Sequence, residues 1–364
     1  MRMGIAEWFR GRRVFLTGHT GFKGSWLAVW LRDAGADVTG YALPPEAGRP
    51  SLFASASVAD GLRSILGDVR DSEALRAAMG TSRPEIVLHL AAQSLVRRSY
   101  AQPVDTIATN VVGTAQLLEA VRHQSTVRAV VVVTSDKCYE NRGLDRGYVE
   151  SDPMGGYDPY SASKGCQELV TAAFRRSFLD VAGIPVATAR AGNVVGGGDW
   201  CEDRLMVDLM LAAGTNQVAT IRNPHAVRPW QFVLEPLRGY LMLAQALAEQ
   251  GSAFAGAWNF GPAFSDAVSV GELVGRVTAE WPRVRAQVVD SPGAPHEAHL
   301  LQLDSSKAAQ LLGWFPALSL NDTVAMTVGW YKAVAENPDC ASAVLRQQLL
   351  EYVTRAESQR PSSS

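Results

Sequence analysis

An apolar run, Val14-Phe15-Leu16-Thr17, the heptapeptide Gly18-His19-Thr20-Gly21-Phe22-Lys23-Gly24 and a helix-like segment at 25–34 follow one another without a break. Strand, glycine turn and helix in that order leave the chain few options. The first glycine allows a tight reversal, the second lets backbone amides approach an anion, and the third lets the helix pack close to the strand. The helix N-terminus then faces that anion with its free amides and positive dipole end. A dinucleotide pyrophosphate is the anion such a turn holds, with Gly18, Thr20, Gly21, Phe22, Lys23 and Gly24 around it. Glycines three apart also make purely structural turns, so the rest of the chain has to decide.

Further strands are expected at 37–42, 63–67, 85–90, 128–134 and 185–190, separated by helical stretches. In the fifth, Val130-Val131-Val132-Val133 is too continuous for a half-exposed strand and predicts burial on both faces. Alternating strands and helices imply an α/β fold, a doubly wound, Rossmann-like parallel sheet, with ligands at the carboxyl ends of the strands. Those ends carry Asp68 and Val69 after the third strand and Leu90-Ala91-Ala92 after the fourth. Asp71 can cap the helix that follows the third. At 104–121, Val104, Ile107, Ala108, Val111, Ala115 and Leu118 fall on one helical face. A ribose-binding acid is expected about 20 residues past the glycines, but Tyr41 and Leu43-Pro44-Pro45 stand there, so a choice between NAD and NADP is not written in the sequence and loose cofactor retention is expected. Beyond Asn193 glycine, proline and tryptophan become more frequent. The expected division is a dinucleotide-binding domain at 1–192, rejoined by about 232–262, a smaller interleaved substrate-binding lobe at 193–231 and 263–355, and a disordered tail at 356–364.

Composition narrows the partners. The 34 basic and 36 acidic side chains produce no global field for nucleic acid or an anionic membrane. No run approaches the ~20 apolar residues of a membrane span, and residues 1–12 do not read as a signal peptide. The cysteines at 138, 166, 201 and 340 are scattered, as expected of reduced thiols in a cytoplasm. His296 and His299 flank Glu297 without the spacing of a helical zinc motif, and no metal is expected.

Two groups of residues can do chemistry. Tyr160 and Lys164, four apart at the start of a helix-like segment, share one face. An ammonium near a phenol favours phenolate, turning a group of pKa near ~10 into a base; a tyrosine packed beneath an exposed lysine is the plainer alternative. Thr134-Ser135-Asp136-Lys137 directly follows the valine strand, so a hydroxyl, an acid and an amine meet at a ligand-facing edge. Asp136 starting a turn beside a solvated Lys137 is the structural alternative.

Gly18-x-x-Gly21-x-x-Gly24, Ser135, Tyr160-x-x-x-Lys164 and Arg190-Ala191-Gly192-Asn193, in this order, resemble the nucleotide-sugar branch of the extended short-chain dehydrogenase/reductase family. Longer stretches, among them Thr134-Ser135-Asp136-Lys137-Cys138-Tyr139-Glu140, Arg222-Asn223-Pro224-His225-Ala226-Val227-Arg228-Pro229-Trp230-Gln231 and Pro295-His296-Glu297-Ala298-His299, narrow the resemblance to the CDP-glucose 4,6-dehydratases. The resemblance implies an internal redox cycle with NAD+. Tyr160 takes the C4 hydroxyl proton while hydride leaves C4, with Ser135 bonded to the same oxygen and Lys164 supporting Tyr160. Water is then lost across C5 and C6, and hydride returns to C6. Asp136 would protonate the departing hydroxyl and Lys137 would take the C5 proton, where dTDP-glucose dehydratases have a glutamate. Arg228 looks like the clasp for the substrate pyrophosphate, or else a surface arginine packed on Trp230. Asn193, Arg204, Arg222 and His296 would hold phosphate or sugar. Pairing through the helices of Val111 and Val170 implies a homodimer or homotetramer. An epimerase or a dehydratase for another nucleotide-hexose remains the alternative, and a silent dinucleotide sensor would have no use for Asp136, Lys137, Tyr160 and Lys164 together.

Overall fold

The computed structural model describes residues 4–289 and 300–359. Its main sheet comprises β1 (Arg13–Thr17), β2 (Asp37–Ala42), β3 (Arg63–Leu66), β4 (Ile86–His89), β5 (Ala129–Val133), β6 (Val186–Arg190) and a late strand. Strands β7 (Asn193–Val195), β8 (Val218–Ile221) and β9 (Val227–Phe232) come next, followed by β10 (Gly256–Asn259), which is that late strand, β11 (Ala267–Ser269) and β12 (Arg285–Val288). The seven-stranded order is β10-β6-β5-β4-β1-β2-β3, and all six pairings are parallel. The order reverses beside β1, which opens a crevice between the carboxyl ends of β1 and β4. Two small sheets, β11-β9-β7 and β12-β8, lie outside the large one.

The helices are α1 (Ile5–Phe9), α2 (Phe22–Asp33), α3 (Leu52–Ser55), α4 (Ser72–Ser82), α5 (Val96–Ala101), α6 (Pro103–Ile107), α7 (Gly113–Arg122) and α8 (Pro159–Phe174), then α9 (Leu205–Gly214), α10 (Leu234–Gln250), α11 (Val270–Glu280), α12 (Leu320–Glu336) and α13 (Ala341–Ser358). Residues of α4 and α7 pack on one face of the sheet and those of α2, α10 and α13 on the other. The valine strand explains its own composition: Val130 and Val132 enter the first core, Val131 and Val133 the second. Each fully buried valine contributes about 1.5–3 kcal/mol. Asp71 caps α4 as expected, accepting from the Glu73 and Ala74 amides at 3.1 and 3.0 Å.

One helical expectation needs correction. The stretch from 103 to 122 is continuous, but a π-helical turn at Ala108–Val112 inserts one residue and rotates the face. The buried side becomes Thr106, Asn110, Thr114, Leu117, Leu118 and Val121, while Val104 is 80% exposed. Of the six apolar positions expected inside, only Leu118 is fully buried. In α8 polar side chains turn inward: Ser163, Lys164, Gln167, Glu168 and Thr171 are buried and Leu169 is exposed. The expected tail is also shortened, since α13 runs to Ser358; residues 360–364 lie outside the described range.

Candidate active site

The carboxyl ends of β1, β4, β5 and β6 border one cavity of about 500 Å³. The glycine turn forms its wall at β1. Gly18 has φ +79°, and a Cβ there would stand 2.8 Å from the Ala91 nitrogen; at Gly24 it would lie 1.9 Å from the Gly18 carbonyl oxygen. Neither position admits a side chain, and the turn is closed tightly against the β4 loop. Gly21 is the extended N-cap of α2, so the helix begins three residues earlier than the sequence pattern suggests. Thr20 Oγ1 donates to the Leu43 carbonyl at 2.8 Å, which ties the turn to the end of β2. Tyr41 donates its hydroxyl to the Asp68 carbonyl at 3.0 Å. The Asp68 carboxylate is gripped by Arg70 at 2.6 and 2.9 Å, which holds its pKa below the usual range.

Opposite the turn stand the groups expected to react. Ser135, extended at φ −164°, caps a short 3-10 turn at Asp136–Cys138 by accepting from the Lys137 amide at 3.2 Å, and donates its own proton to Asp136 Oδ1 at 2.8 Å. Asp158 caps α8 by accepting from the Ser161 amide at 2.9 Å, which sets Tyr160 in the first turn and Lys164 one turn on. Tyr160 and Ser135 border the same cavity, and the Lys164 ammonium stands 6.0 Å from the Tyr160 ring centre. Burial pushes the phenol up to about 12, with the nearby Ser135 hydroxyl pulling the other way. Burial also pulls Lys164 down to about 7 and Lys23 to about 8, with Lys23 adding to the depression of Lys164. Desolvation is therefore the largest influence on both the phenol and the ammonium.

Several supporting residues carry no signal in apolar periodicity. Glu168 accepts from Thr134 at 2.5 Å, Thr188 at 2.6 Å and Arg190 twice at 2.9 Å, bracing the ends of β5 and β6. At the mouth, Asp203, left-handed at φ +57°, lies 3.2 Å from Arg97 and 3.7 Å from Arg222. Arg98 reaches Glu46 and Glu202 at 3.1 and 3.0 Å, and Arg49 reaches Glu202 at 2.5 Å, joining the loop after β2 to α5 and to the loop before α9. Polar residues inside otherwise apolar strands and helices, such as Glu168 and Arg190, are the one sequence signal that would have pointed to this bracing.

The model of a family described as GDP-mannose 4,6 dehydratase matches residues 15–327. The chain belongs to that dehydratase family. It is 50% identical over 338 residues to a CDP-glucose 4,6-dehydratase of Salmonella typhimurium, covering 92% of this chain and 94% of that one. It is 31% identical over 325 residues to a dTDP-glucose 4,6-dehydratase of Streptomyces griseus, covering 87% and 93%. Among solved structures, MoeE5 in complex with UDP-glucose and NAD superposes with a TM-score of 0.74 at 27% identity, covering 88% of this chain and 98% of that one.

In this dehydratase-family chain, every residue expected at the cofactor and every residue expected to react borders the cavity: Gly18, Thr20, Gly21, Phe22, Lys23, Gly24, Asp68, Val69, Leu90, Ala91 and Ala92, with Ser135, Asp136, Lys137, Tyr160 and Lys164. Asn193 and Arg204 border it too, with Arg204 2.5 Å from Asp199. Among the described residues Arg222 and Arg228 do not line it: Arg222 lies 3.7 Å from Asp203 at the mouth, and Arg228 Nη1 donates to the Val227 carbonyl at 3.0 Å. His296 lies outside the described residues. The side-chain-free turn at Gly18 and Gly24, opening into the same cavity as Tyr160 and Lys164, fits an elongated dinucleotide with its phosphates at α2.

Proposed function

We propose that this chain converts CDP-glucose to CDP-4-keto-6-deoxyglucose and water. The observation that carries the reading is one cavity bordered by a phenol and an ammonium on α8 and, facing them after β5, a hydroxyl, a carboxylate and an amine. Oxidation at C4 needs the first pair, and elimination across C5 and C6 needs an acid and a base besides. The cofactor is NAD+, held by the Gly18–Gly24 turn at its phosphates, by Asp68 and Val69 at the adenine edge, by Leu90, Ala91 and Ala92 along the wall, and by Tyr160 and Lys164 at the reacting end. When bound, NAD+ would supply the acceptor for the C4 hydride and the donor for its return to C6, and its positive charge would favour the phenolate.

Tyr160 removes the C4 hydroxyl proton, Ser135 hydrogen-bonds the same oxygen, and Lys164 supports the phenolate. The resulting 4-ketone acidifies the C5–H bond. Lys137, neutral when it acts, takes that proton, and Asp136 protonates the C6 hydroxyl as the C6–O bond breaks. Asn193, Arg204, Arg222, Arg228 and His296 hold the sugar and its pyrophosphate, the arginines through planar, permanently charged forks. The choice of CDP over dTDP is supported by the 50% identical relative, described as a CDP-glucose 4,6-dehydratase.

The division of the chain given above belongs to the same reading: residues 1–192 with about 232–262 bind the dinucleotide, and 193–231 with 263–355 bind the sugar. Pairing of β10 with β6 supports it. A homodimer or homotetramer is supported by apolar side chains turned outward on the adjoining helices α6 and α8, with Val104 80% and Leu169 60% exposed. No helix among the described residues is long and apolar enough to cross a membrane. A cytoplasmic location is supported by the four unpaired cysteines. The test of substrate offers CDP-, dTDP-, GDP- and UDP-glucose and GDP-mannose in turn with NAD+. A keto-deoxy product from CDP-glucose above all others is expected; preference for another nucleotide would overturn the assignment.

A further inference from the structure

Lys164 is the end of a buried hydrogen-bond chain. Its Nζ donates to Gln167 Oε1 at 2.9 Å, one turn along α8. Gln167 Nε2 donates to Thr114 Oγ1 on α7 at 2.8 Å. Thr114 gives its own proton to the Asn110 carbonyl at 2.7 Å and has only lone pairs left. His89 Nε2, 3.0 Å from Thr114 Oγ1, must then be a donor, which leaves Nδ1 to accept from the Thr17 hydroxyl at 2.7 Å. Thr17 Oγ1 in turn accepts from the Leu90 and Ala91 amides, both at 3.1 Å. Thr17, His89, Thr114 and Gln167 are all fully buried. Burial draws His89 down to about 3, in keeping with the neutral, single-proton ring that this chain of donors requires.

The direction of donation is set at both ends, by the Asn110 carbonyl and by the two backbone amides of the β4 loop. Gln167 has no freedom to flip, because a reversed amide would set its NH2 group against an ammonium and its carbonyl against an oxygen with no proton to give. We propose that Gln167 is a positioning residue for Lys164, presenting a fixed carbonyl oxygen that keeps the ammonium in place and charged, through a chain anchored in the Leu90–Ala91 wall of the cofactor cavity. The proposal rests on the reading of Tyr160 and Lys164 as the working pair. The groups around Lys164 do not all favour its charge: Lys23 on α2 opposes it, Glu168 on α8 and Cys138 after β5 favour it, His89 on β4 is neutral, and the Tyr160 ring lies 6.0 Å away. Against burial and Lys23, a hydrogen bond accepted from the charged form pulls the other way. Two of the three ammonium protons stay available for ligand.

The test is Gln167→Met, which removes the acceptor at nearly constant volume, beside Gln167→Glu, which keeps one. With Met, Lys164 loses its proton at lower pH and Tyr160 becomes harder to ionise, so the plateau of kcat against pH narrows by about one unit. The calorimetric Kd for NAD+ becomes weaker at pH 8 relative to pH 6 than in the parent. With Glu, the alkaline limb moves upward, and this arm stands alone if Gln167→Met does not fold. A Met profile lowered in height with both limbs and the pH dependence of Kd unmoved, or a Glu variant whose alkaline limb stays in place, would overturn the proposal. Tyr160→Phe separates the two readings: near-normal turnover there defeats the site assignment itself, whereas loss of turnover there with unmoved limbs in the Gln167 variants defeats only this inference.

Discussion

Glu168→Gln removes one negative charge and almost no volume from the brace between β5 and β6, and its cost can be worked from the contacts. Glu168 is 3% exposed and accepts four hydrogen bonds at 2.5–2.9 Å, two of them from Arg190, whose side chain is fully buried. Arg190 also donates to the Tyr139 hydroxyl at 2.6 Å and to the Glu150 carbonyl at 3.2 Å, and neither neutralises it. Removing one partner of a buried pair leaves an uncompensated charge, which costs about 3–5 kcal/mol. An unfolding entropy of about 2.1 cal/mol/K per residue makes that a fall in Tm of about 4–7 °C for a cooperative unit of this chain length. Calorimetry and urea unfolding measure it, and Glu168→Gln combined with Arg190→Met should recover part of the loss. Because Thr134 and Arg190 lead directly into Ser135 and Ala191 at the cavity, kcat should fall more than KM rises. A Tm within about 1 °C of the parent would show that the guanidinium is neutralised elsewhere and would refute the reasoning.

Other outcomes follow from the site. Tyr160→Phe should abolish turnover with calorimetric NAD+ binding nearly unchanged; retained activity would remove Tyr160 as the C4 base. Asp136→Asn should slow elimination more than C4 oxidation in single-turnover absorbance traces, and collapse of oxidation alone would mean the acid is misassigned. His89, at 6.5 in the unfolded chain and about 3 in the folded one, contributes stability that is fully present above pH 6.5 and is lost as pH falls toward 3, since the unfolded state then binds the extra proton. His89→Asn should flatten the pH dependence of urea midpoints over that window, and an unaltered slope would point to other groups.

Much of the fold was legible because local chemistry dictates it. Gly18 and Gly24 have no space for a side chain, the valine run feeds two cores at once, and Asp71 caps its helix through its own carboxylate. The faces of α6, α7 and α8 were not legible, since periodicity assumes that apolar residues turn inward. Here a π turn shifts the register, and a row of polar residues from Ser163 to Thr171 faces in, with Ser163, Gln167 and Glu168 bonded to partners on other elements and Lys164 and Thr171 bonded to Gln167. His89, Thr114 and Gln167 mean little one at a time; only the pairing of β4 with α7 and α8 turns them into a chain of bonds. Tyr160 and Lys164 could be found from their spacing, but the balance of their pKa values could not, because burial, which sequence does not reveal, is the largest influence on both.

The most direct test of the proposed reaction is the fate of hydrogen at C4. With CDP-glucose carrying deuterium at C4, NAD+ and the purified protein, nuclear magnetic resonance should find the deuterium at C6 of CDP-4-keto-6-deoxyglucose and solvent hydrogen at C5. Deuterium still at C4 of an inverted hexose, or a product bearing no deuterium at C6, would contradict an elimination bracketed by hydride loss and return.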